Sequence, residues 1–191
     1  MACHERLDKN RIILIYFGCN KMNLIMRKLI LKIRAIALLL AVSCVTLSAQ
    51  EAKKLYDPGL DGMKQIKEAV AAAKASGKHV LIQYGGNWCP WCIKFDGYSK
   101  ADSEISKLMT ENYIAVKLNY SPENKNEASN EYLGNPTRFG FPVFIILDGA
   151  GKVLHIQDSG LLEEGEGYSK KKVTGFLGNW TVKAIVPVKP K

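Results

Sequence analysis

Two thiols stand three positions apart in Trp88-Cys89-Pro90-Trp91-Cys92. A thiolate is the nucleophile of disulfide exchange and also a metal ligand, so such a pair has three readings. It is a redox dithiol, half of a metal site, or a structural cross-link. The chain has 191 residues and five cysteines, at positions 3, 19, 44, 89 and 92. Which of them work together depends on which part of the chain reaches the working compartment.

The N-terminal 49 residues read as a leader. They hold eight Lys or Arg against two acids, a net charge of +6, out of the +9 of the whole chain. Arg27, Lys28, Lys32 and Arg34 form a basic region, Ala35 to Leu47 is apolar, and Leu47-Ser48-Ala49 ends in a small residue before Gln50. That order is the pattern of a signal peptide over about residues 26–49. The apolar run is shorter than the roughly 20 residues a membrane span needs. A signal starting near its basic cluster places the start at Met22 or Met26, with residues 1–21 a mis-assigned start. A second reading makes Ala41-Val42-Ser43-Cys44 a lipoprotein box with lipid on Cys44, although Ala41 stands where Leu is usual. Cleavage after Ala49 is the preferred expectation.

With the leader removed, residues 50–191 keep only Cys89 and Cys92. Export places them where disulfides persist. Bridging so short a loop removes little chain entropy, so a structural cross-link is a poor explanation. Structural zinc takes four ligands. The two remaining histidines, His79 and His155, lack finger-like spacing and read as strand-flanking surface residues. No metal and no cofactor are expected. The body carries 19 Lys or Arg and 16 acids, a mild +3, with no basic run interleaved with aromatics. Nucleic acid is therefore not an expected partner. Gly149-Ala150-Gly151-Lys152 is too short for a phosphate loop. Glu163, Glu164, Glu166 and the run Lys170 to Lys172 read as solvated faces.

The elements that position the thiols follow from periodicity and punctuation. Residues 50–60 read as a linker ending in the turn Asp57-Pro58-Gly59. Asp61 caps a helix with Met63, Ile66, Val70 and Ala73 on one face, and Gly77 stops it. His79 to Tyr84 is a buried central strand. Pro90 suits a first helical turn, which puts Cys89 at a helix start and Cys92 one turn in. Asp102 caps a second helix. Tyr113 to Asn119 is a strand, a short helix lies between Pro122 and Pro136, and Val143 to Leu147 is a strand. Asp148 to Gly151 turns into a returning strand, Lys152 to Gln157. Gly160 to Gly167 reads as a loop and Ser169 to Ala184 as a terminal helix with Val173, Phe176, Leu177 and Trp180 on one face. The tail, 185–191, reads as loose. The order implies an α/β fold with a mixed central β-sheet and helices on both faces.

Strand, Trp-Cys-x-x-Cys opening a helix, Lys117-Leu118-Asn119 in the next strand, and Gly140-Phe141-Pro142 before a hairpin: this combination resembles the thioredoxin family over residues 61–184. The resemblance implies the thioredoxin fold and a thiol–disulfide oxidoreductase of exported proteins. Cys89 is the exposed attacking residue, with a lowered pKa, and Cys92 resolves the mixed disulfide. Pro142 is expected to be cis beside the pair, with Phe141 pairing with an extended substrate segment. Trp88 and Trp91 are expected to form an apolar contact surface, packing beneath the motif being the equal alternative for Trp88. In thioredoxin itself a buried Asp stands six residues before the first Cys. Here that residue is Gln83, which can hydrogen-bond but cannot exchange a proton near neutral pH. Gln83, Lys117 and the dipeptide Pro90-Trp91 are the expected tuners of the redox pair. The expected partners are disulfide-containing exported proteins and an electron donor in the membrane, and the expected state is a monomer in the periplasm. Reductase or isomerase activity is preferred over oxidase. A non-catalytic thioredoxin-like module that binds peptide or metal is the alternative.

Overall fold

The computed structural model describes residues 24–34 and 54–185. The chain divides into two units, Met1–Ala52 and Lys53–Lys191. In the first, residues 24–34 form a helix, α1, exposed along its length. Among the described residues no helix is long and apolar enough to cross a membrane. The apolar run 35–47, the cleavage site after Ala49, the lipid box at Cys44, residues 1–21 and the tail 186–191 lie outside the described residues.

The second unit is built on β1 (His79–Gly85), β2 (Tyr113–Asn119), β3 (Val143–Leu147) and β4 (Val153–Asp158), in the order β2-β1-β3-β4. β1 runs parallel to β2 and antiparallel to β3, and β3 pairs antiparallel with β4. Parallel neighbours need a crossover connection. The chain supplies it with α3 (Pro90–Ala101) and α4 (Ser103–Asn112), between β1 and β2. Every residue of β1 and of β3 is buried, as expected for strands covered on both faces.

Alternation sorts the side chains into two layers. Val80, Ile82, Tyr84, Val143, Ile145 and Leu147 pack with Ile66, Ala69 and Ala73 of α2 (Gly62–Ser76). Leu81, Phe144 and Ile146 pack on the other face with Phe95 of α3, Ile105 of α4 and Val173, Phe176 and Leu177 of α6 (Lys170–Asn179). The sheet is thus mixed, with helices on both faces, as the residue order implies.

Local signals explain the boundaries. The Asp61 carboxylate accepts the Lys64 N–H at 3.1 Å, and Gly77 ends α2 in the left-handed region at φ 64°. Asp102 accepts the N–H groups of Glu104 and Ile105 and separates α3 from α4. The short helix α5 spans Glu127–Tyr132.

Three expectations change. The stretch from Gly160 to Gly167 is not a plain loop. A 3-10 turn, Ser159–Leu162, leads into a two-strand ribbon of β5 (Glu163–Glu164) and β6 (Gly167–Tyr168), and Tyr168 is buried against α3 residues. The terminal helix breaks after Asn179 and resumes as α7 (Val182–Ile185). His79 is buried, not on the surface: its Nδ1–H donates to the Trp180 carbonyl at 2.8 Å, and the half-buried His155 stacks on the Trp180 ring at 4.4 Å. Period-2 strand patterns do not report such capping of a strand end by a distant loop.

Candidate functional site

β1 ends at Gly85, and Gly86-Asn87-Trp88 carries the chain round to α3. Cys89 is the N-cap of α3 and Pro90 its first residue. Proline is preorganised for that position and lacks the N–H that would go unpaired there. The Cys89 sulfur accepts the Cys92 N–H at 3.1 Å, so sulfur does the work usually done by a capping oxygen. Unpaired N–H groups and the helix dipole favour negative charge at this point. A thiolate at Cys89 is therefore stabilised by backbone that the fold has already fixed.

Cys89 and Cys92 form a disulfide with their Cα atoms 5.3 Å apart. Contrary to expectation, Cys89 is not exposed here: it is 3% accessible and Cys92 is fully buried. Leu55, Tyr56, Trp91 and Phe141 pack around the pair. Gly85 is needed beneath it. A Cβ at Gly85 would lie 2.4 Å from the Cys92 sulfur and 3.1 Å from the Tyr56 hydroxyl, distances at which something must shift.

The Phe141–Pro142 peptide is cis. Phe141 meets Trp88 edge-on at 5.3 Å and lies tilted by 32° against Tyr120 at 4.8 Å. Trp88 is half exposed, and its Nε1–H donates to the Tyr120 carbonyl at 2.7 Å, so it forms an aromatic rim with Phe141 and Tyr120 rather than a floor under the motif. Trp91 stands on the other side, edge-on to Tyr168 at 5.5 Å, with the Lys94 ammonium 4.2 Å from its ring centre.

Beneath Cys92 lies a polar network. The parallel register sets Gln83 opposite Lys117, and both fall on the α3 face. The Lys117 ammonium donates to Gln83 Oε1 at 2.5 Å and to Asp96 of α3 at 2.8 Å. Gln83 Nε2 donates to the Cys92 carbonyl at 2.9 Å and to the Tyr56 hydroxyl at 2.8 Å. Lys100 reaches Asp96 at 2.6 Å. Burial would raise the Asp96 carboxyl, but hydrogen bonds from Lys100 and Lys117 hold it below its ordinary value. Burial pulls the Lys117 ammonium below its usual range, with Asp96 pushing back. Amide, ammonium and carboxylate thus replace a lone buried acid.

The predicted residues Cys89, Cys92, Trp91, Phe141, Gln83 and Lys117 converge within this one region, with Trp88 at its rim. Pro90 serves α3 and is exposed to solvent. Sequence reasoning missed Tyr56, Asn87, Asp96 and Tyr120. Asp96 had one signal, its place one helical turn after Cys92. Tyr56 had none, because it sits in the stretch read as linker. It is 1% exposed, and Asn87 clamps its backbone with two hydrogen bonds of 3.0 and 2.7 Å. Among the described residues no group of three His, Cys, Asp or Glu side chains is placed to hold a metal ion.

This fold, with a cysteine pair at the start of α3, is thioredoxin-like. Residues 61–149 match the family model described as Thioredoxin-like. Among solved structures, a disulphide isomerase from Xylella fastidiosa Temecula1 superposes with a TM-score of 0.58 at 26% identity, covering 65% of this chain and 95% of that one. The thiol:disulfide interchange protein DsbD of Actinobacillus pleuropneumoniae serotype 5b (strain L20) is 24% identical over 130 residues, 68% of this chain and 19% of that protein. The disulfide bond reductase DsbH of Chlamydia pneumoniae is 27% identical over 93 residues, 46% of this chain and 56% of that one. The chain thus spans less than two thirds of either curated relative.

Proposed function

We propose that this chain is a thiol–disulfide oxidoreductase acting on exported proteins, working as a reductase or isomerase. The carrying observation is the Cys89–Cys92 pair at the N-terminus of α3, with Cys89 in the capping position. In the reduced chain the Cys89 thiolate attacks a substrate disulfide. One substrate sulfur leaves as thiolate, and a Cys89–substrate mixed disulfide forms. Cys92 then gives up its proton and attacks the Cys89 sulfur. The substrate leaves as a dithiol, and the pair is oxidised by two electrons. Trp88, Phe141 and Tyr120 supply an apolar rim on which a substrate segment rests, with the backbone at Phe141 as its pairing edge. Gln83, Lys117 and Pro90-Trp91 set the potential of the pair. Names among the relatives, a disulphide isomerase, an interchange protein and a disulfide bond reductase, support this direction.

Export follows from the leader, with cleavage after Ala49 and lipid attachment at Cys44 as the competing process. An exported reductase needs electrons from elsewhere, and a membrane dithiol protein is the proposed donor. The working form is proposed to be a monomer. Equilibrium titration against glutathione tests direction: a reductase or isomerase has a potential well below that of strong oxidants, and a value at the oxidant end overturns the assignment. Cys92→Ala tests mechanism. It is expected to accumulate mixed disulfides through Cys89 on non-reducing gels, where the additional Cys89→Ser change abolishes them. If no partner is trapped while the chain is folded, a non-catalytic binding module becomes the better account.

A further inference from the structure

Tyr56 touches the disulfide and has no part in the exchange described above. Its ring is buried with Cys89 and Cys92, and its backbone is held by Asn87, two residues before Cys89. The direction of its hydrogen bond is forced. The Lys117 ammonium can only donate, so the Gln83 oxygen faces it and the Gln83 nitrogen faces Tyr56. The two hydrogens of that nitrogen go to the Tyr56 oxygen and the Cys92 carbonyl. The Tyr56 oxygen therefore accepts, and its own O–H points elsewhere. Among the described residues that hydrogen meets no oxygen or nitrogen acceptor. The space above Gly85 brings the hydroxyl and the Cys92 sulfur together, since one Cβ placed there would lie within 3.1 Å of both.

We infer that the Tyr56 hydroxyl is the hydrogen-bond donor to the Cys92 sulfur once the disulfide opens, the last link of a donor chain from Lys117 through Gln83 to Tyr56. This rests on the oxidoreductase reading above. In the resolving step the Cys92 thiol releases its proton to water, and the thiolate forms the bond to the Cys89 sulfur. The Cys89–substrate bond breaks, with its electron pair leaving on the substrate sulfur. A donor beside Cys92, free to turn to it once the sulfur carries charge, stabilises the attacking thiolate. The charged and titratable groups around the hydroxyl and the sulfur are Asp96 and Lys100 from α3, Lys117 from β2 and Tyr168 from β6. Two lysines bind the Asp96 carboxylate, so its repulsion of a thiolate is largely cancelled. Burial raises the Tyr56 phenol far above its ordinary value, so the group stays protonated and able to donate.

The test is Tyr56→Phe in the full chain carrying Cys3→Ser, Cys19→Ser, Cys44→Ser and Cys89→Ser, where Cys92 is the sole thiol. Cys92 is titrated by NMR of isotope-labelled cysteine. Losing one hydrogen bond to a charged sulfur raises its pKa by on the order of one unit, a tenfold drop in thiolate at neutral pH. Higher nucleophilicity offsets part of that. With both cysteines of the pair restored, resolution of a glutathione mixed disulfide is expected to slow about threefold. An unchanged Cys92 pKa in the folded variant, with normal glutathione exchange in the parent, overturns the donor role and leaves the oxidoreductase reading standing. A parent chain inert towards glutathione overturns that reading and this one with it. Should Tyr56→Phe fail to fold, the hydroxyl proton of Tyr56 in the unaltered chain serves instead. It is expected to shift between oxidised and reduced forms, and a resonance indifferent to the state of Cys92 overturns the role.

Discussion

Lys117 is three-quarters buried, and a buried ammonium is costly unless paired. Asp96 supplies the counter-charge and Gln83 the second acceptor. Breaking such a pair from one side leaves an uncompensated charge. The linkage is signed by the carboxyl: its value is held low in the folded chain, so its stabilisation is present above the unfolded value near 4 and is lost as pH falls through the folded one. Asp96→Asn is therefore expected to lower stability at neutral pH. The gap to the parent should narrow as pH is taken below about 4. Urea unfolding at a series of pH values measures this, and a gap that does not change with pH contradicts the ion-pair role. Gln83 and Lys117 were legible by resemblance to a family pattern. Asp96 had only its place one turn after Cys92, because the approach of α3 to β2 alone reveals Lys117 as its partner.

Helix ends were the most legible elements. Asp61, Gly77 and Asp102 each carry a chemical reason to start or stop a helix, and each does so. The Asp61 cap satisfies one N–H of α2, the helix that covers one face of the sheet. Asp61→Ala is expected to cost about 1 kcal/mol with an unchanged denaturant slope. A cost near zero would mean that packing alone holds the first turn. Elements made by pairing were harder to read. The β5–β6 ribbon has two residues on each side, too few for alternation to show, and Tyr168 is fixed by Phe95, Tyr98 and Trp91 rather than by its neighbours in sequence. Ser169 precedes α6 without a side-chain capping bond. The break after Asn179 leaves the Trp180 carbonyl free to take the His79 hydrogen.

At the scale of the whole unit, β3 joins both layers, with Phe144 facing α3 and α6 and Ile145 facing α2. Phe144 is fully buried, 4.4 Å from the Phe95 ring and 6.0 Å from the Phe176 ring. Phe144→Ala opens a cavity where these elements meet and is expected to cost about 3–5 kcal/mol by urea unfolding. A loss below about 1 kcal/mol would show that the layer closes over the gap. Because Phe95 is on the same helix as the cysteines, this variant is also expected to loosen α3.

Residue order alone determined the β-α-β core, the cysteine pair, its place at a helix start and the family likeness, because these rest on local propensity and spacing. Tertiary structure decided what touches the pair. The parallel register set Gln83 beside Lys117, α3 brought Asp96 to them, and the segment at Tyr56 folded back over Cys89. Those contacts join residues as many as 61 positions apart (Tyr56 to Lys117) through a shared network. No local rule carries such information, since burial of a polar group is stable only where distant partners complete its hydrogen bonds.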